Sequence, residues 1–530
     1  MDQRKTKVQD FKFGKLLLKN VTSNYLSTAI KLISSVFLTY LLYTGLGTEF
    51  YGFWSLLWSV FIYSLLLDFG FGKTVEKYSA EASVSGNMEK FNSIVSGIFF
   101  TYLIVAFFIF TGGLIMSFYM EKIFNFQSTN ALTIEYYRQV FLLFTLGIAL
   151  VFPTGIFPTI LVGLQRSYLR NNVLIANKII ELAGVWYILH CNHSLLTLVI
   201  FTASINLLSN LVMAIMTFRL MPGLRISFMF IKIKTIKYIF DFSVFAYILT
   251  ICDLIKFQTD RIVLGALLGM SSVAIYQVAT KIPLLIYMLS TQFQTNLAPI
   301  AAILHKAGHK KKLQETMLDS TRITVFICSG VFAVFIPLVR PILYVWLKVD
   351  DEITIRLAYI LISSTYILIA FSSTAKQFLL MTGHHRFLTY LAIIESISNL
   401  ALSIILVKLI GITGVAWGTL IPGAIISLFV IFPTAAFFSN NSPFAYLVKV
   451  YLPLILLTTP ISLIAIFISS SFPVEKWNLQ FIIITAAATG TLYMLIGWLT
   501  YFNRQEKIRL FSFLPSFVSP KLIALITKKK

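Results

Sequence analysis

Long apolar runs alternate with short polar segments from near the start of the chain to near its end. The runs fall at 20–42, 51–67, 94–118, 140–164, 173–190 and 195–218. After a basic stretch they resume at 242–267, 274–297, 323–346, 358–381, 388–409, 415–437, 446–469 and 481–501. Each is about 20 residues, the length that crosses a hydrocarbon core of about 30 Å as a helix. Backbone amides meet no water there, so a spanning segment is either a helix or a strand of a closed barrel. Barrel strands alternate over about 10 residues, and these runs are continuous. The pattern predicts an all-α integral membrane protein of about fourteen transmembrane helices.

The polar segments between the runs set orientation. With the N-terminus in the cytoplasm, about 30 of the Lys and Arg residues fall in cytoplasmic segments, about 6 in external ones and about 7 within spans. An odd number of spans would scramble this asymmetry, so both termini are expected on the cytoplasmic side. The external connections TGLGTEF, CNHS and LLGMSS are tight, whereas the cytoplasmic ones are longer and charged. GKTVEKYSAEASVSGNMEKFNS resembles an amphipathic surface helix and LHKAGHKKKLQETMLDSTR a basic membrane-facing loop, but the simpler reading of both, as topology anchors, is preferred.

The chain also repeats itself. Leu46-Gly47-Thr48, in the first external turn, recurs as Leu268-Gly269-Met270, and the shift of 222 carries Gly52 onto Ala274 and Trp54 onto Tyr276. Gly163-Leu164-Gln165-Arg166 and Gly383-His384-His385-Arg386 end the fourth and tenth spans, with Arg166 and Arg386 separated by 220. Six spans per copy is an even number, so both copies enter the membrane in the same sense. That is a parallel repeat about an axis along the membrane normal, an arrangement that commonly encloses a central site and rocks around it. The expected organisation is a basic N-terminus at 1–19, an N-lobe at 20–219, a basic connector at 220–240, a C-lobe at 241–438, two further helices at 439–503 and a basic tail at 504–530.

Composition agrees with the pattern: 58% of residues are hydrophobic, 12% are charged, and the mean hydropathy is +0.84. A soluble globular chain is excluded. The net charge of +22 suggests nucleic acid at first sight. Yet the basic residues lie mostly between spans, and no basic patch is interleaved with stacking aromatics. Anionic lipid headgroups are the expected partners. Cys191, Cys252 and Cys328 are far apart, so neither a disulfide framework nor a metal cluster is expected, and no cofactor is implied. The N-terminal segment lacks a short apolar core with a small-residue cleavage site, so no cleaved signal peptide is read.

Charges within spans are costly and are functional candidates by default. Lys31 lies near the middle of the first span, in a polar stripe with Asn24, Ser27 or Thr28, and Ser34 or Ser35, whose spacing puts them on one helix face. In the seventh span Asp253, Lys256 and Asp260 share that spacing, with Arg261 nearer the external end. They read either as a self-neutralised ladder or, through Lys256 and Arg261, as contacts to cargo. Lys281 could bind cargo or reach external headgroups. Lys31, Lys256, Arg261 and Lys281 would thus line a cationic central cavity for a diphosphate or an acidic sugar. Lys178 and Lys376 lie near the cytoplasmic surface, where snorkelling accounts for them. Asp68, Asp253, Asp260 and Glu181 are candidates for ion coupling or charge neutralisation, and Asp68 alternatively for capping the turn into the cytoplasmic loop.

Catalytic chemistry is not legible. Gly72-Lys73-Thr74 mimics the end of a phosphate-binding loop, but Leu67 stands where the first glycine would be, and a membrane span precedes it rather than a strand. The six histidines form no convincing ligand spacing. The chain is not expected to be an enzyme.

The segments LGTEFYGFWSL, LLDFGFGKTVEKYSAE, QTDRIVLGALLGMSSVAIYQVATK and Gly411 to Thr419 together resemble the polysaccharide transporter family, the flippases of O-antigen and capsule repeat units. That family belongs to the superfamily that also holds the multidrug extrusion transporters and the lipid II flippase. The resemblance spans about 20–501 and rests on structural turns. It implies two six-helix lobes with two extra C-terminal helices. It further implies an undecaprenyl-diphosphate-linked oligosaccharide as cargo, a bacterial cytoplasmic membrane as location and a single chain as the functional unit. The alternatives are a multidrug-extrusion antiporter, disfavoured by mid-membrane Lys and Arg, and a membrane enzyme of glycan assembly.

Overall fold

Where the sequence has apolar runs the described chain is helical, and no strand occurs among the described residues. The structure, a computed structural model, describes residues 2–126, 131–191, 193–230, 244–295, 297–502 and 506–507. About half of the basic connector, nearly all of the basic tail and part of the external segment before Arg138 lie outside the described residues. Among the described residues, eleven helical segments are long and apolar enough to cross a membrane. The protein is a multi-pass, all-α membrane protein.

The eleven fall short of the expected fourteen at identifiable places. The first segment, Lys19–Asp68, is counted once although it bends at Gly47. The helix Val244–Leu267 carries four charges, and the next apolar run is broken into Met270–Ala279 and Lys281–Thr295. Length and apolarity alone therefore do not confirm fourteen.

Contacts divide the chain into two compact units, Met1–Val278 and Ala279–Lys530. In the first, α1 (Asp2–Ser64) bends at Gly47, whose φ of 75° and ψ of 174° lie outside the helical region. Gly269 has a φ of 91° in the matching turn. Only glycine adopts such a conformation cheaply, which is why the two turns share that residue at 222 positions apart (269 less 47). The helix α2 (Phe71–Ser85) buries Phe71, Val75, Ser79 and Ala82 on one face. It packs on α5 (Ile156–Gly163), which continues α4 (Ala131–Val151) through a tight turn at Pro153–Gly155. The amphipathic segment expected at the membrane surface therefore has protein under its apolar face.

Five more helices complete the wall of this unit. The helix α3 (Met88–Phe118) is capped by Asn87, which accepts from the Lys90 amide at 3.1 Å. It anchors the start of the connector: Asn92 donates to the Gly223 carbonyl at 3.0 Å, and the Arg225 amide donates back to Asn92 at 3.1 Å. Then α6 (Ser167–His190) and α7 (Leu195–Leu220) pack as a hairpin, followed by α8 (Val244–Leu267) and α9 (Met270–Ala279). The outer arm of α1 meets α9 at Gly52, where a Cβ atom would stand 1.8 Å from the Met270 carbonyl oxygen.

The second unit begins with α10 (Lys281–Thr295) and α11 (Leu297–Lys306) and is built around α12 (Lys310–Leu347). The following span runs from α13 (Glu352–Leu368) through a π-helical turn at Ile369–Ser373 into α14 (Thr374–Met381). Next come α15 (His385–Ile410) and α16 (Thr413–Ile425), which passes through a second π-helical turn, Ile426–Ile431, into α17 (Phe432–Phe438). The two π turns touch each other. The last helices, α18 (Pro443–Val450), α19 (Leu452–Ser471) and α20 (Leu479–Thr500), close on α12 through an aromatic core. There the Tyr493 hydroxyl donates to the Phe326 carbonyl at 2.8 Å, and Gly330 leaves room for the Tyr493 ring.

The repeat has a register that the sequence comparison set slightly differently. Left-handed residues precede α6 and α15, but they are Gln165 and Gly383. The helices begin at Ser167 and His385, 218 positions apart (385 less 167), and not 220. In this register Asn177 matches Glu395, and Glu181 matches Asn399. All four are buried, so each copy keeps an amide and a carboxylate one turn apart, in opposite order.

Candidate functional site

The inner arm of α1 is held to α6 by polar side chains. Asn171 donates to Asn24 at 2.6 Å and to Ser23 at 3.0 Å, and Asn20 bridges to the Gln165 carbonyl and the Tyr168 amide. The polar stripe expected on this helix splits into two faces. Ser23, Ser27 and Ser34 are buried, while Asn24, Thr28 and Lys31 are exposed. Lys31 has Arg170 and Lys178 of α6 near enough to repel it electrostatically. Lys178 in turn pairs with the buried carboxylate of Glu181. Three cations thus stand on two adjoining helices; Lys178 is paired within its own helix, and Arg170 has the Glu76 carboxylate of α2 within electrostatic reach.

The charges of α8 divide by burial. Asp253 is exposed, whereas Lys256 and Asp260 are buried. Asp260 accepts from the Tyr276 hydroxyl of α9 at 2.5 Å. Arg261 donates to Ser59 of α1 at 3.1 Å and to Gln258 at 2.5 Å. Tyr63 of α1 bonds Thr259, and Tyr247 donates to the Leu66 carbonyl at 2.7 Å. This is a polar seam that fastens α8 and α9 to the outer arm of α1, and Arg261 is engaged in it.

Asp68 accepts the Tyr102 hydroxyl of α3, which ties the turn before α2 to that helix. Lys281 opens α10 and is half-buried. In the second unit Lys376 lies 3.6 Å from buried Glu395, and Asn399 donates to Thr419 at 3.0 Å.

The first unit also holds a cavity of about 230 Å³ between α1, α4, α6 and α7. One wall is aromatic: Trp58 meets Phe61 edge-on at 5.3 Å and Phe144 at 5.7 Å. The other carries Asn177, Asn206 and Asn210. Asn177 donates to Ser209 at 2.8 Å, Asn206 to the Thr202 carbonyl at 2.9 Å, and Asn210 to Thr154 at 3.0 Å. Lys178 borders both this cavity and the cationic group. Neither the cavity nor Arg170 was singled out from the sequence; the only signal was a set of amides recurring inside apolar runs.

Buried carboxylates, cations inside spans and a repeated lobe in an all-helical membrane protein define a membrane transporter. The pattern of the polysaccharide biosynthesis protein family matches residues 17–304, more than half of the chain, and that of the MatE family matches 246–405. The chain belongs to the polysaccharide biosynthesis protein family, within the superfamily of multidrug, oligosaccharidyl-lipid and polysaccharide exporters. No curated protein matches it in sequence. Among solved structures it is similar to the lipid II flippase MurJ in an inward closed conformation, with a TM-score of 0.67, 16% identity, 90% of this chain and 98% of that chain covered. It is also similar to an inward-facing multidrug resistance MATE family transporter, with a TM-score of 0.63, 16% identity, and 78% and 94% covered. A MOP superfamily transporter from Pyrococcus furiosus matches with a TM-score of 0.54, 15% identity, and 80% and 96% covered. At such identities the likeness shows a shared fold.

Proposed function

We propose that the chain flips undecaprenyl-diphosphate-linked oligosaccharide repeat units from the cytoplasmic to the outer leaflet of a bacterial cytoplasmic membrane. The transport runs by alternating access and serves the synthesis of O-antigen, capsule or exopolysaccharide. The carrying observation is the gathering of Lys31, Arg170 and Lys178 on α1 and α6. Unlike a cationic drug, a diphosphate repays the cost of holding such charges in apolar surroundings. Family membership and the likeness to a lipid II flippase support this reading. It carries with it cytoplasmic termini, a single chain as the working unit, no nucleic-acid partner and no covalent chemistry. Lys31 and Arg170 are the first phosphate contacts; Lys256, Arg261 and Lys281 are secondary ones. Asp68, Asp253, Asp260 and Glu181 neutralise charge or couple an ion.

A second reading, a cation-coupled antiporter, is favoured by the MatE match and by the buried Glu181 and Glu395. One experiment separates the two. Purified protein in liposomes is given undecaprenyl-diphosphate-linked oligosaccharide and an external reagent for exposed sugar. Flipping is expected, with Lys31→Ala and Arg170→Ala slowing it by roughly tenfold to a hundredfold through loss of charge-assisted bonds of about 1.5–3 kcal/mol. Wild-type protein that exposes no sugar but takes up a cationic dye would overturn the flippase reading. Normal rates in Lys31→Ala and Arg261→Ala would remove those residues from the site.

A further inference from the structure

A flippase must hold the sugar as well as the phosphate, and the cations of α1 and α6 address only the phosphate. The cavity beside them has a different chemistry. Its aromatic wall offers Trp58, Phe61 and Phe144, and Trp58 meets the other two edge-on, so its face is not covered by a parallel stack with either ring. Such a wall suits the C–H face of a pyranose ring.

The facing wall suits hydroxyls. The side-chain oxygens of Asn177 and Asn210 accept no hydrogen bond among the described residues, while their amide nitrogens are held by Ser209 and Thr154. Each amide is therefore oriented by one end and offers the other. A hydrocarbon chain in this space would leave those oxygens dry, which is costly. A cation would find Lys178 and no carboxylate among the lining residues. A phosphate would find Lys178 already paired with Glu181. The volume of about 230 Å³ is several times the roughly 30 Å³ of one water, yet below the roughly 300–1,000 Å³ of a pocket for a drug-sized molecule. It fits one ring and not a whole repeat unit.

We propose that this cavity seats a single neutral sugar ring of the cargo, stacked on Trp58 and hydrogen-bonded to Asn177 and Asn210, with the diphosphate at Lys31 and Arg170 next to it. This rests on the flippase reading and adds to it a specificity site confined to the first unit.

The test uses the full chain in nanodiscs free of glycoside detergent. Saturation-transfer NMR is run with methyl glycosides of hexoses, N-acetylhexosamines and 6-deoxyhexoses. A diazirine derivative of the best binder is then photocrosslinked to the wild-type protein and the labelled peptides are mapped. Ring C–H contacts are expected for at least one sugar, with labelling in the segments that hold Trp58, Phe144 or Asn210. In liposomes, Trp58→Leu and Asn210→Ala should each slow flipping about tenfold at unchanged melting temperature, while Trp58→Phe retains most of the rate. Absence of contact for every glycoside, labelling elsewhere only, or displacement of the probe by a cationic dye or a fatty acid overturns the proposal. Wild-type protein that flips the lipid-linked oligosaccharide without these contacts sinks the sugar seat alone. Sugar contact without flipping sinks the flippase reading alone.

Discussion

Gly52 offers a sharp test of how the first unit is assembled. A methyl group added there would stand 1.8 Å from the Met270 carbonyl oxygen and 2.7 Å from its carbon. A carbon–oxygen contact relaxes only near about 3.3 Å, so α1 and α9 would have to part by about 1.5 Å. Both contacting groups are backbone, and neither can rotate away as a side chain would. Overpacking of this kind costs about 1–3 kcal/mol, and with no rotamer to absorb it Gly52→Ala should sit at the upper end, about 3 kcal/mol. For a unit of this size that lowers the melting temperature by roughly 6–12 °C. The assay is thermal unfolding in nanodiscs, with Gly112→Ala as control, because a methyl there meets nothing within 4 Å. Gly113→Ala is the intermediate case, since it would press only on the Thr145 side chain, at 2.2 Å. If Gly52→Ala melts with the wild type while Gly113→Ala does not, the close crossing of α1 and α9 is wrong.

Three further outcomes follow from named contacts. Tyr493→Phe removes the buried hydroxyl bonded to the Phe326 carbonyl and should cost about 1 kcal/mol, read as a lower melting temperature with helical content unchanged by circular dichroism. Gly418→Ala would drive a methyl to 2.6 Å from the Ser403 backbone nitrogen; it should loosen the hairpin of α15 and α16 and increase proteolysis at the connecting turn. Arg340, bonded to Asp350 at 2.6 and 2.8 Å, holds the Asp350 carboxyl below the usual carboxylate range. Its folded value lies below its unfolded one, so the stabilisation is present above the ordinary value of about 4 and is lost as pH falls through that window. Melting temperatures of the wild type and Asp350→Asn should differ modestly at pH 6, because the pair is partly exposed, and converge in strong acid.

Much of the fold was legible because bilayer thickness and backbone desolvation leave few options: continuous apolar runs had to be helices. The repeat was legible where geometry demanded one residue type, as at Gly47 and Gly269. It was misread by two positions at Gln165 and Gly383, because matching arginines were aligned while the structure aligns left-handed residues, and glutamine gives no hint of that conformation. The site was less readable. Lys31 stood out by depth, but Arg170 lies near a helix end, where depth argues for snorkelling. Arg261 stood out as a charge in an apolar run, but its bonds to Ser59 and Gln258 could not be read from spacing. Asn177, Asn206 and Asn210 come from two helices, and no linear spacing brings them opposite Trp58.

The π turn at Ile369–Ser373 sets a rotational phase. An α-helix advances about 100° per residue, and a π turn accommodates one residue more than an α-helical turn would. Lys376 lies in the first turn after it and meets Glu395 of the neighbouring helix at 3.6 Å. Removing any one residue of that turn would swing Lys376 about 100° around its axis while leaving both partners in the chain. The pairing is thus specified by a count of residues, and an in-frame deletion of one codon would undo it where many substitutions in the turn would not.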